Sequence, residues 1–322
     1  MISSLRLLCV ALPLFCPVAD ALAQPAYPSK PVRFLVGAPA GGSNDIFARA
    51  LSQRLSEALG QPVIVDNRPG ASQMIAADLT AKAPPDGHTL YITSTTYTTG
   101  AALMAKLPFD PINDLAGVTM IARGPMVLVV HPSVPAKNVK ELIAIARAKP
   151  GQLNYTSSGV GGINHFGVEV LKSMANIDMV HVPHKGMAPA ITDLMAGQVQ
   201  VLLVSLTAVE AQMQSGRLRA IGVSSPQRSA FLPNLPAIAE TLPGYDNDLW
   251  WGVFVAAKTP RPIIDRLNSE IHKTMTTDEI KKRFADFGAV GAPTTPEGFN
   301  TIVKNEIAKW SKVVKAANIK PE

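Results

Sequence analysis

Short apolar runs alternate with amphipathic stretches along the chain. Val32 to Val36 reads as a strand, followed by the glycine-rich residues 37–44. Ile46, Phe47, Ala50, Leu51, Leu55, Ala58 and Leu59 then recur at 3.6-residue spacing, which predicts a helix with one buried face. Ser43 or Asn44 suits its N-cap, Asp45 the positive end of its dipole, and Gly60 its end. A strand at 62–65, a helix over 73–82, a Pro-Pro-Asp-Gly turn at 84–87 and a strand at 89–93 follow. Past residue 125 the order repeats. Helices are expected over 139–148, 165–174 and 189–196, and strands at 153–155, 179–182, 199–204 and 218–223. A strand at 251–255 and helices over 263–275 and 299–317 come last.

Strands separated by helices of this length predict mostly parallel sheets with helices on both faces. Two such halves predict two α/β lobes. Gly124-Pro125 and Pro243-Gly244 read as linker punctuation. A chain that leaves one lobe near 124 and re-enters it near 250 crosses twice, which implies a hinge. The expected division is residues 24–124 with 250–322 as lobe 1 and 125–249 as lobe 2.

Residues 1–23 read as a signal peptide. Arg6 supplies a positive charge, Leu7 to Val18 is apolar with two prolines, and Ala21-Leu22-Ala23 forms a cleavage site. The run is too short for a membrane span, which needs about 20 apolar residues. Cleavage after Ala23 gives an expected periplasmic location. Both cysteines, Cys9 and Cys16, precede the cut, so disulfides, thiolate catalysis and Cys-ligated zinc are excluded from the mature chain.

Hydrophobic residues make up 47% and charged residues 17%, which excludes intrinsic disorder. The net charge is +6, but Lys and Arg never form a run of five, so no nucleic-acid tract is apparent. A diffuse cationic excess attracts small anions modestly.

In open sheets of this kind ligands bind beyond the strands' carboxyl ends. Four loops fall there: residues 37–44, the hydroxyl-rich 94–99, Ser157 to Gly162, and Pro183 to Gly186. Glycine-rich turns occur in most α/β folds, so no single loop identifies a site. Together, with hydroxyls, glycines and almost no acid, they describe an anion-binding cleft in which amides at helix N-termini supply donors. Gly-x-Ser-x-Gly and Walker A sequences are absent, and Gly159-Val160-Gly161 lacks the third glycine of a dinucleotide fingerprint. Neither a cofactor nor a metal is expected. His181 with His184, or His165 with Glu169, makes a poor metal pair. Ser157 or Ser158 could act as a nucleophile only with a base such as His165 or His184.

An ordered set of motifs runs through the chain. It includes Tyr27-Pro28 with Pro31-Val32, Pro39 to Asp45 with Ala48-Arg49, Val65 to Ala71, and Pro85 to Leu90. It continues with Asn154-Tyr155, Ser157-Ser158-Gly159, Asn164-His165, Val182 to Gly186, and Asp193-Leu194 with Gly197-Gln198-Val199. In these the chain resembles the Bug family, the exported solute receptors of tripartite tricarboxylate transporters. The resemblance implies a type II periplasmic-binding-protein fold, two doubly wound α/β lobes joined by two crossover strands around a ligand cleft. It also implies a monomeric receptor for a small carboxylate or related solute, with membrane permease subunits as partners and no covalent change to the ligand. Carried over by position, Ala40, Gly42, Ser43, Asp45, Thr95 and Thr96 line the first lobe. Ser157, Ser158, Gly161 and Asn164 line the second, with His184 and Ser205 at its edge. Asp45 also has a purely structural reading. Many relatives have Tyr in place of His184 and Asp in place of Val204; the missing acid argues against an amino-acid ligand. The alternatives are an exported serine hydrolase using Ser157 or Ser158, and a receptor serving a signalling partner.

Overall fold

The structure is a computed structural model that describes residues 27–104 and 106–320. The signal peptide expected over residues 1–23, with both cysteines, lies outside these residues. In chain order β1 (Val32–Val36) leads to α1 (Ser43–Leu59), β2 (Val63–Asn67), a 3-10 turn at Ala71–Gln73, α2 (Met74–Ala81), β3 (Thr89–Ser94), α3 (Thr96–Leu103) and β4 (Leu115–Gly124). Next come β5 (Met126–Val130), α4 (Val139–Ala148), β6 (Asn154–Ser157), α5 (Ile163–Ala175), β7 (Val180–Pro183), α6 (Met187–Met195), β8 (Val201–Ser205), α7 (Leu206–Gln214) and β9 (Arg219–Val223). The final elements are β10 (Leu249–Ala256), α8 (Arg261–Met275), α9 (Asp278–Ala285), β11 (Val290–Gly291) and α10 (Pro296–Ala316).

The strands form two sheets, ordered β11-β4-β10-β3-β1-β2 and β7-β6-β8-β5-β9. β1 lies between β2, the edge strand, and β3, and is parallel to both. It is buried on both faces, which is why it reads as an apolar run rather than an alternation. Phe34 faces the cluster shared with α1 and α8, and Leu35 faces the cluster shared with α2, α3 and α10. In the second sheet Leu128 joins the cluster under α4 and α5, while Val127 and Val129 face α6 and α7.

The sheets are less parallel than the sequence pattern predicts. β10 runs antiparallel between β3 and β4, and β5 antiparallel between β8 and β9. β4 and β5 belong to different sheets yet are separated by Pro125 alone. The hydroxyl-rich segment 94–99, expected as a loop, is mostly the first turn of α3. Gly42, not Ser43 or Asn44, is the N-cap of α1. Gly60 ends α1 in the left-handed conformation, as expected.

A network of polar groups ties the two connections together. Arg123 at the end of β4 donates to Asp248 Oδ2 (2.9 Å) and Asp246 Oδ1 (3.1 Å). Ser224 Oγ donates to Asp248 Oδ1 (3.1 Å) and accepts from the Met126 amide (2.8 Å). Behind this junction α10 packs on α3 and β4 of the first sheet. Its later turns reach the second core, where the Trp310 ring lies 5.6 Å from Phe166 of α5.

Candidate functional site

Loop 37–42 carries the chain from β1 to α1. Gly41 has φ +84°, the region glycine enters without steric cost. Gly42 is extended and offers no side chain to cap α1, so the first-turn amides are left for an outside acceptor. Ala40 is exposed at the tip of the loop. Ser43 Oγ accepts from Trp251 Nε1 at 3.0 Å, tying the loop to β10. Asp45 is buried, and its oxygens are committed to the protein. They accept from the Gly41 amide (2.9 Å), Arg49 Nε (3.0 Å) and Asn67 Nδ2 (3.0 Å). Burial pushes the Asp45 carboxyl up, but the bonds from Arg49, Gly41 and Asn67 outweigh it and hold the group below the usual carboxylate range. Its geometry is that of a loop anchor.

At the end of β3, Thr95 is fully buried. Its Oγ1 accepts from the Trp250 amide at 2.9 Å and its own amide donates to Trp250 O. Thr96 is half-buried, and its hydroxyl has no protein partner among the described residues. Beside these groups sits Gln73, which the sequence pattern did not single out. Its Oε1 accepts from Asn44 Nδ2 (3.0 Å) and Thr93 Oγ1 (2.6 Å), and its Nε2 donates to Ser94 Oγ (3.2 Å).

The second lobe presents a matching loop between β6 and α5. Gly161 has φ +82°, and its amide donates to His165 Nδ1 at 3.2 Å. Gly162 is extended, so α5 also begins without a side-chain cap. Ser158 Oγ donates to Asn164 Oδ1 (3.0 Å), and Asn164 Nδ2 donates to Leu203 O (2.9 Å), which fixes the loop to β8. Ser205 caps α7 with its backbone alone, and its hydroxyl has no protein partner among the described residues. Both ring nitrogens of His184 are engaged, Nδ1 with Thr156 Oγ1 (2.8 Å) and Nε2 with Asp193 Oδ2 (2.7 Å). His184 therefore fastens β6 and β7 to α6. Val204 is buried in the apolar cluster beneath α6 and α7.

Ser157 is buried, with Oγ 2.7 Å from His181 Nε2 and 2.9 Å from Gly159 O. The histidine beside it is thus His181, rather than His165 or His184. His181 stacks on His165 with centroids 3.9 Å apart and on Tyr155 at 4.8 Å. Burial holds His165 down to about 4, and burial with His165 beside it holds His181 down to about 3. The Tyr155 hydroxyl donates to Glu169, which also accepts from Lys172 Nζ at 2.8 Å. Among the described residues no group of three or more His, Cys, Asp or Glu side chains is placed to hold a metal.

The loops after β1, β3, β6 and β8 thus lie at the carboxyl ends of their strands. Leu103 lies against Gly161, and Leu206 against Gly288. A separate groove of about 370 Å³ between the C-terminal turns of α5 and α10 contains none of the candidate residues.

Comparison with known proteins finds relatives in sequence and in fold. The sequence model of the family described as Tripartite tricarboxylate transporter family receptor matches residues 47–319. The UPF0065 protein in the tcbD-tcbE intergenic region of a Pseudomonas species is 37% identical over 90% of this chain and 87% of its own. Protein BugT of Bordetella pertussis is 33% identical over 94% of each chain. Among solved structures, Rhodopseudomonas palustris Rpa4515 with adipate is 34% identical, with a TM-score of 0.78 over 92% of this chain and 100% of that one. MatC from the same organism, with bound malate, is 28% identical, with a TM-score of 0.75 over 89% and 100%.

Proposed function

Because this chain belongs to the tripartite tricarboxylate transporter receptor family, we propose that it is an exported receptor that captures a small carboxylate between its lobes and hands it unchanged to the permease subunits of such a transporter. Diacids of the size of malate and adipate are the favoured class. The observation that carries this reading is the pair of uncapped, glycine-led helix N-termini on α1 and α5, one from each lobe, in a chain akin to a protein solved with adipate. Uncapped amides and the hydroxyls of Thr96 and Ser205 supply donors without buried charge. Each bond to an ionised carboxylate contributes about 1.5–3 kcal/mol net. Three or four such bonds, offset by the cost of association, reach about −8 kcal/mol, a micromolar complex.

In this reading Ala40, Gly42, Ser43, Asp45, Thr95 and Thr96 build one wall of the cleft. Ser157, Ser158, Gly161, Asn164, His184 and Ser205 build the other. Asp45, Thr95, Ser157 and His184 act by holding the loops. The lobes comprise residues 24–124 with 250–322 and residues 125–249, the last turns of α10 crossing from the first into the core of the second, and the receptor works in the periplasm as a monomer. Ligand contacts to both lobes favour the closed form over the open one.

The hydrolase reading is disfavoured by one arrangement. The Ser157 hydroxyl is buried, and no carboxylate among the described residues orients the neighbouring His181. A panel of mono- and dicarboxylates tests the proposal by thermal shift and calorimetry. At 100 times Kd the bound acid adds about 2.7 kcal/mol of apparent stability. A folded protein whose melting curve no acid moves would refute it.

A further inference from the structure

Residues 71–73 break a stereochemical rule three times in succession. Ala71, Ser72 and Gln73 have φ of +47°, +49° and +73°. Side chains with a Cβ are rarely held there, and such strain persists only where the surroundings over-determine it. At Gln73 the surroundings do so. The residue is 8% exposed, and its side-chain amide is fixed by Asn44, Thr93 and Ser94. Its backbone carbonyl accepts from the buried Tyr91 hydroxyl at 3.1 Å. Gly37 makes the room: a Cβ there would stand 2.7 Å from Gln73 Cβ. Gln73 therefore reaches the end of the first sheet where α1 and α3 begin, between the loop after β1 and the end of β3.

The hydrogen-bond count at this amide is uneven. Oε1 accepts two bonds, which is its capacity. Nε2 carries two hydrogens and donates one of them, to Ser94 Oγ. A buried amide with a fixed carbonyl and a spare N–H is an oriented donor. Resting on the carboxylate reading above, we propose that Gln73 is a ligand-binding residue that sets specificity: its second N–H donates to the carboxylate of the bound acid, and its side chain forms the floor of the first-lobe wall. A neutral amide adds a donor without a counter-charge. A carboxylate in the same place would repel the ligand.

Two near-isosteric variants test this. Gln73→Met keeps the length and removes the donor; Gln73→Glu keeps the acceptor and adds negative charge. Malate and adipate are titrated calorimetrically into wild type and both variants at pH 8, with melting temperature and circular dichroism recorded on the same samples. Gln73→Met is expected to lose roughly 10- to 100-fold in affinity for the preferred acid, and Gln73→Glu more, in folded proteins. Wild-type affinity in both variants, whether or not their melting temperatures fall, overturns the proposal and leaves the receptor reading intact. If wild type itself binds neither these two acids nor any other of the mono- and dicarboxylate panel, the carboxylate reading fails and the role of Gln73 fails with it. Should Gln73→Glu not fold, Gln73→Met alone decides.

Discussion

His165 and His181 stack with their ring planes 8° apart, and neither can gain a proton without placing charge against the other. The groups facing the pair are Glu169, Lys172 and His184. In the folded chain both imidazoles sit below their ordinary value, at about 4 and about 3. The unfolded chain, with histidines near 6.5, binds more protons in this range. Stability is therefore fully present above pH 6.5 and is lost as pH falls from 6.5 toward 3. The loss is expected to be on the order of a few kcal/mol, read as a falling melting temperature. His165→Asn should flatten that slope; a slope unchanged in this variant would locate the titration elsewhere. At this scale the sequence discloses glycines and hydroxyls but not which of them are free. Ser157 and Asp45 look available in one dimension and are spent in three. Gln73 escapes notice because nothing in the string announces a positive φ in a residue with a long side chain.

The start of α1 shows how much an element depends on one anchor. Asp45 joins the loop, the helix and β2 through Gly41, Arg49 and Asn67. Asp45→Ala is expected to cost about 1–3 kcal/mol and to make loop 37–42 more open to proteolysis. Arg49→Met should cost less, because the Arg49 side chain is 56% exposed. Equal losses in a denaturant titration would refute this ranking. Elements with clean periodicity were legible, such as α1 and α4. The β4–β5 region was not, because its apolar residues run on either side of Gly124-Pro125 without a helix between. α3 was obscured by its own composition, since Thr96, Thr98 and Thr99 are poor helix formers that read as loop. The hydroxyls of Thr98 and Thr99 bond Thr95 O, Glu306 and Thr96 O instead.

The joined connections govern the molecule as a whole. Asp248 is buried against the partly exposed Arg123, and burial raises its carboxyl despite that neighbour. Arg123→Met would leave this carboxylate without its cation, a loss that exceeds the worth of the pair itself. With the exposure of Arg123 taken into account, about 1–3 kcal/mol is expected. The double change with Asp248→Asn should recover much of it in a thermal melt. No recovery would show that the two residues act separately. The repeated strand–helix order made two halves legible. The return of the chain near residue 250 followed from element order, while the polar network that braces it joins residues some 125 positions apart and leaves no local mark.

One helix makes the two halves finish together. α10 buries Glu306 against Thr98 and Trp250, then carries Trp310 into the other core. The second core is thus completed by a side chain from a helix whose earlier turns pack in the first. Truncating the Trp310 ring is thus felt in the core built by residues 126–223, although residue 310 lies far outside that stretch of chain.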